Sequence, residues 1–316
     1  MNHAPTPSDA FDASLSITSN QSPHPVFMNS NSLQIRNHLK ERYRDVYTDE
    51  VLSALSALSR FNSTVKEVMD ARIKRRAVRE KDQEKIKFLD PRDIISRTKI
   101  KVQEAREGKF EGAVIPRDLQ CQWIQGTGPA AKPNAPIESS IRNIAYALLS
   151  GADGWMFDGE DALGQITTMS LDNQRNLKLA IHGDPLFLKT AEQVAAEMNR
   201  WSMGFFGRKI IDDWKEQLKF TTKIFRARGL HLDDRHIRDE KGVALAASIV
   251  DITLYVVNNY QTLQRQGSSI VLYLPKIQTA EEAAVWDQML LGLEQHLGLP
   301  EGTIKGYVLV EQLEAT

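Results

Sequence analysis

The sequence predicts an α/β protein whose parallel strands form one side of a (β/α)8 barrel, with a helical region ahead of it. Two observations carry this reading. Four short apolar segments each run straight into a polar residue: residues 154–157 into Asp158, Lys223-Ile224-Phe225 into Arg226, residues 270–274 into Pro275-Lys276, and residues 307–310 into Glu311. In barrels and open parallel sheets the carboxyl ends of strands are where catalytic groups collect, because loops vary there while the strands hold them in place. The second observation is a helix over residues 136–150 with Ile137, Ile141, Ile144, Ala145 and Leu148 on one face. It joins the short segment Trp123-Ile124-Gln125 to the segment ending at Asp158, a β-α-β unit.

The stretch 154–161 is the centre of this pattern. Residues 154–157 are too few for a helix and are bounded by glycines. Asp158, Glu160 and Asp161 follow at once. Three acids in four residues repel one another, and a hard divalent metal or a neighbouring arginine is the economical way to keep them ionised together. A simple turn that caps the next helix is the plainer explanation, and the three other charged strand ends argue against it.

At 316 residues, with 41% hydrophobic and 26% charged residues, the composition is that of an ordinary globular chain. A net charge of −1 gives no reason to expect nucleic acid or an anionic membrane as partner. The lone Cys121 rules out an intrachain disulfide, fits a reducing compartment, and reads as an inert thiol. No apolar run is long enough to span a membrane, and neither a secretory signal nor a transit peptide is visible, so the cytosol is the expected compartment. Residues 1–32, rich in Ser, Pro, Asn and Ala, are expected to be disordered. Residues 33–107 read as a helical domain: Val51, Leu52, Leu55, Leu58, Phe61, Val65, Val68, Met69 and Ile73 recur at spacings of three and four. One helix should stop before Pro91 and another should cover 94–107. The basic run 74–81 admits a nucleic-acid or CoA-phosphate patch, but a solvated face balanced by Glu80, Asp82 and Glu84 explains it. Residues 108–316 form the barrel region, entered through a Gly-, Pro- and Lys-rich linker over 108–134. Residues 176–188 and 191–203 read as mostly helical, with His182 in a loop or capping role and Trp201, Phe205, Phe206 and Trp214 packed under a loop.

Several ordered blocks resemble the malate synthases: Ile115-Pro116-Arg117-Asp118-Leu119-Gln120, Thr127-Gly128-Pro129, Phe157-Asp158-Gly159-Glu160-Asp161, residues 225–232, Tyr273-Leu274-Pro275-Lys276, and residues 297–311. Each block is weak alone; their order and spacing carry the resemblance. It implies a TIM barrel of malate synthase type, incomplete here, behind an amino-terminal helical clasp. It implies acetyl-CoA and glyoxylate as substrates and Mg²⁺ as cofactor, with the family's occurrence in peroxisome-like organelles a further possibility for location. Residue by residue it assigns Arg226 to enolate stabilisation with Arg228 as the alternate, Glu311 to the metal, and Asp158 and Glu160 to metal-bound waters and the arginine. Asp161 is expected to cap the following helix or support the barrel, and Lys276 to pair with a neighbouring acid. The family's second metal-binding aspartate and its catalytic-base aspartate lie past the residue matching Glu311, so no catalytic base is expected within this chain. The chain is accordingly expected to be the amino-terminal portion of such an enzyme, an incomplete fragment. Related CoA lyases of the citrate lyase β type, and a non-catalytic remnant that binds a partner, are the other readings.

Overall fold

The computed structural model describes residues 27–30, 33–112, 114–130, 132–161 and 165–315. It opens with a short antiparallel pair, β1 (Phe27–Ser30) and β2 (Leu33–Arg36), before α1 (Leu39–Arg42), α2 (Asp49–Leu58) and α3 (Asn62–Asp82). The expectation of disorder through residue 32 is therefore corrected at 27–30; residues 1–26 and 31–32 lie outside the described ones. The helical region expected from residue 33 begins instead with strand, Leu33–Arg36.

The long helix ends earlier than Pro91. Gln83 takes up a left-handed conformation (φ 51°), and the Glu84 N–H reaches back to Arg79 O at 3.0 Å, closing the helix end. Up to there Val65 and Met69 are buried, whereas Ile73 and Val78 are already exposed, so no apolar face remains to continue the helix. The helix expected over 94–107 shrinks to α4 (Val102–Arg106), preceded by an isolated bridge between Ile94 and Lys101.

The barrel segment follows in alternation: β3 (Trp123–Gln125), α5 (Ile137–Leu148), β4 (Gly154–Asp158), α6 (Met169–His182), α7 (Pro185–Phe206), α8 (Trp214–Phe220) and β5 (Thr222–Arg226). After an excursion through β6 (Asp233–Arg238) and β7 (Ala244–Ala246), it resumes with α9 (Ala247–Arg265), β8 (Ile270–Leu274), α10 (Ala280–Leu297) and β9 (Ile304–Val308). The five strands β3-β4-β5-β8-β9 form one sheet in that order, every pair parallel, as expected for part of a (β/α) barrel. The apolar face foreseen for α5 is present: Ile141, Ile144, Ala145 and Leu148 are buried, and Ile137 packs against them. A second sheet, antiparallel in the order β1-β2-β6-β7, brings the amino-terminal strands onto the β5–α9 excursion. Asn62 at the start of α3 fastens this junction, donating to Ala244 O (3.1 Å) and accepting from the Ala246 N–H (2.8 Å).

One placement differs from expectation on α7. Phe187, Ala191, Val194 and Ala195 bury its first half, but Trp201, Phe205 and Phe206 lie in the last turns with 55%, 74% and 59% of their surface exposed. They stack on one another rather than under a loop, with 5.3 Å between the Trp201 and Phe205 rings, because the helix has run past the surface that covers its first half. His182 closes α6, where its Nε2 lies 2.8 Å from Asn258 O. No helix among the described residues is long and apolar enough to cross a membrane.

Behind the sheet lies a fully buried ionic cluster. Arg228 donates through Nε and Nη2 to Asp251 on α9 (2.9 and 2.7 Å) and through Nη2 to Asp234 on β6 (2.8 Å), while its own N–H bonds Asp251 Oδ2. Removing one partner of a buried pair strands the other charge, so Asp251→Ala is expected to destabilise the fold by roughly 3–5 kcal/mol in urea unfolding; a loss under ~1 kcal/mol would contradict the cluster's role. His236, beside Asp234, is held below the ordinary imidazole value, chiefly by burial. A depressed imidazole contributes stability that is complete above about pH 6.5 and declines as pH falls toward the folded value, where the folded chain resists the proton that the unfolded chain binds. The urea midpoint should therefore fall from pH 7.5 to 5.5, and His236→Gln should flatten that slope; equal slopes would refute the assignment.

Candidate active site at the carboxyl ends of the barrel strands

Side chains of a strand alternate between its two faces. On β4, β5 and β8, Phe157, Phe225 and Leu272 point to the outer helices and join the main core. Met156, Ile224 and Val271 point the other way, into a small inner cluster with Leu119 and Tyr273. One step further along the inner face come Asp158, Arg226 and Tyr273, and the register pairs Asp158 with Arg226 and Arg226 with Tyr273. A polar row thus sits on an apolar layer at the carboxyl end of the sheet.

The turn after β4 is built to deliver acids into this row. Asp158 Oδ1 accepts the N–H groups of Glu160 (2.9 Å) and Asp161 (3.1 Å), and the Gly159 N–H bonds Arg226 O (2.9 Å). A Cβ on Gly159 would lie 2.5 Å from Phe225 Cζ and 2.7 Å from Arg226 O, so only glycine allows this approach. Gly229 plays the matching part after β5: its N–H bonds Glu160 Oε1 (3.0 Å), and a Cβ there would meet His231 Nδ1 at 2.7 Å.

Arg226 is the hub. Its Nη2 lies 2.8 Å from Glu160, 2.8 Å from Asp161 and 3.6 Å from Glu311, and its Nη1 lies 3.6 Å from Asp158. Lys276 is the second cation, with Nζ 3.1 Å from Glu160 and 3.0 Å from Asp161, and its backbone N–H bonds Glu311 Oε1 (2.9 Å). Burial by itself would weaken the Arg226 charge, but the four surrounding carboxyl groups outweigh it and raise the guanidinium above its ordinary value. The same opposition raises Lys276. Asp161, despite some burial, is lowered by Lys276 and Arg226. Burial pushes Glu160 up, and Lys276 and Arg226 only partly offset it.

The residues singled out in the sequence therefore converge, with one exception. Arg228, the alternate for Arg226, faces away and is consumed by Asp234 and Asp251. Asp161 pairs with Arg226 and Lys276; residues 162–164 after it lie outside the described ones. The basic run of α3 is not merely a solvated face either, because Arg75 reaches Glu282 and Gln278 and Arg79 reaches Glu314, all in the barrel segment. Sequence reasoning missed His231, which with Glu160, Asp161, Gln165, Leu232 and Lys276 lines a cavity of about 330 Å³. The signal was its position five residues after Arg226 on the same loop. Its imidazole is held below the ordinary value by burial and by the nearby Arg72 and Lys276. A larger hollow of about 560 Å³ lies away from these groups, lined by Lys40, Asp49, Leu52, Ser53, Ala57 and His296, with one acid and one lysine rather than a cluster of acids.

Among the described residues no three His, Cys, Asp or Glu side chains are arranged to enclose a metal ion. Mg²⁺ does not require that, since it keeps several waters and takes one or two protein carboxylates. The rim suits it chemically: four carboxyl groups face two cationic side chains, all donors are hard oxygens, and Glu311 Oε2 receives no hydrogen bond from the described residues. Arg226 Nε is likewise buried without a partner among them.

Comparison with known proteins agrees with this geometry. Residues 222–316 match the family model described as "Malate synthase, TIM barrel domain". The chain is 30% identical over 225 residues to malate synthase A of Escherichia coli (strain K12), covering 71% of this chain and 36% of that protein. It is 26% identical over 291 residues to the malate synthase of Dictyostelium discoideum, covering 90% and 46%. With the glyoxysomal malate synthase of Gossypium hirsutum it shares 28% identity over 287 residues, covering 90% and 44%. The chain thus spans less than half the length of each of these relatives. Strand order, rim and sequence matches together place the chain in the malate synthase family.

Proposed function

We propose that the rim around Arg226 is the aldehyde- and enolate-binding part of a malate synthase active site. The reaction is the condensation of acetyl-CoA with glyoxylate, followed by hydrolysis of the thioester to malate and CoA, as in the glyoxylate cycle. The observation that carries this reading is the buried Arg226 guanidinium, held by Glu160 and Asp161 with Asp158 and Glu311 close by, at the carboxyl end of the parallel strands.

Loss of a proton from the thioester methyl group creates an enolate whose oxygen needs a fixed positive charge. Arg226 supplies it without reorganisation, because Glu160 and Asp161 already hold the guanidinium in place. Its planar fork also suits the oxygens of glyoxylate, which an ammonium would meet as a point charge only. Glu311 is the group that would hold Mg²⁺, Asp158 and Glu160 would bond the waters around it, and the ion when bound supplies polarisation of the aldehyde oxygen. The enolate carbon then bonds the aldehyde carbon as the C=O π pair moves onto the aldehyde oxygen, which takes up a proton to become the hydroxyl of malate; water then adds to the thioester carbonyl and the C–S bond breaks, with CoA thiol as the leaving group. The methyl proton goes to a base that we assign to none of the described rim residues.

Calorimetric titration of the chain with glyoxylate in the presence of Mg²⁺ tests the reading without requiring that base. Saturable binding is expected, and Arg226→Lys should weaken it at least tenfold, the loss of a charge-assisted hydrogen bond worth about 1.5–3 kcal/mol. A folded chain that binds no glyoxylate would overturn the proposal. Thiol release from acetyl-CoA identifies the reaction class: release that needs both glyoxylate and Mg²⁺ marks a synthase, whereas cleavage of a malyl-type CoA ester marks a lyase of the citrate lyase β type.

A further inference from the structure

Lys276 stands out on the rim because its backbone is left-handed, with φ 56°. A lysine gains nothing from that conformation, and such strain persists only where surrounding contacts over-determine it. Here three contacts do so. The Lys276 N–H bonds Glu311 Oε1 (2.9 Å), its ammonium bridges Glu160 and Asp161, and its carbonyl accepts a hydrogen bond of 2.7 Å from Arg72 Nη2. The first two belong to the rim itself. The third comes from α3, outside the barrel, at a residue just ahead of the basic run.

Arg72 is itself tightly held. Its Nε and Nη2 grip both oxygens of Glu282 (3.0 and 2.5 Å), and Glu282 is buried in the first turn of α10. Glu282 Oε2 also accepts the Gln278 N–H (2.7 Å), so this carboxylate ties the far end of the short link from β8 to α10 directly and its near end through Arg72. Arg72 therefore fixes that link through Glu282 and fixes the Lys276 peptide directly.

We infer that Arg72 is a positioning residue of the rim: by holding the Lys276 carbonyl and Glu282 together, it keeps Lys276 left-handed and thereby aims its N–H at Glu311 and its ammonium at Glu160 and Asp161. The inference deepens the proposed function and rests on it for the role of Glu311, but the placement of Lys276 is measurable without any turnover. Loss of Arg72 frees the carbonyl, the backbone relaxes to negative φ, and the ammonium leaves the acids. Lysine in place of Arg72 keeps the charge but cannot bond the carbonyl and both Glu282 oxygens at once.

The test is the rate at which each lysine of the folded chain is acetylated by excess acetic acid N-hydroxysuccinimide ester, read by peptide mass spectrometry. Lys223, buried on β5, reports any general loosening of the fold. Arg72→Met is expected to raise the Lys276 rate at least fivefold with Lys223 unchanged, and Arg72→Lys to raise it as well. A Lys276 rate within twofold of the unsubstituted chain in either folded variant overturns the inference. So does a parallel rise at Lys223, which would make Arg72 a general support of the fold. If Arg72→Met does not fold, Arg72→Lys alone decides. Failure of the rim reading would appear in glyoxylate binding, whereas failure of this inference appears in the labelling.

Discussion

The structure depends on keeping one guanidinium charged and immobile inside a barrel wall. Arg226 is almost fully buried, and burial alone would penalise its charge. Glu160 and Asp161 at 2.8 Å supply the compensation, with Asp158 and Glu311 at 3.6 Å. Much else on the rim follows from holding those acids in place. Asp158 folds the turn that carries Glu160 and Asp161, glycines at 159 and 229 let the two loops touch, and Lys276 shares the excess negative charge. Because acids outnumber cations, the rim is left suited to a further cation.

The parallel sheet was legible in the sequence for a physical reason. β4, β5 and β8 are covered on both faces and read as short continuous apolar runs that end at or just before a charged residue, whereas β9 is half exposed and ends at Val308, three residues before Glu311. Asp158, Arg226, Lys276 and Glu311 were found this way. The second sheet was not, because β6 is mostly polar (Asp-Asp-Arg-His-Ile-Arg) and its partner β2 lies some two hundred residues earlier, a pairing no local pattern encodes. Arg226 and Arg228 are equivalent by composition. What separates them is that β5 ends at Arg226, so Arg228 leaves the inner face and meets Asp251 and Asp234 instead.

The same limit explains the reading of α3. A basic helix face with acids nearby in sequence looks self-sufficient, and only the fold shows that Arg72, Arg75 and Arg79 spend their charge on Glu282, Gln278 and Glu314. The helical region is thereby joined to the carboxyl ends of the barrel strands through polar contacts as well as through the packing of α2 on α9 and α10. Strain at Lys276 is the visible trace of that junction on the rim.

The most direct test of the central claim is a crystal structure of the chain with Mg²⁺ and glyoxylate. The account predicts the cation on the Glu311 carboxylate and glyoxylate oxygens hydrogen-bonded to the Arg226 guanidinium, with Asp158 and Glu160 on water rather than on the ion. Glyoxylate bound elsewhere, or a rim that stays free of both at saturating concentrations, would contradict it.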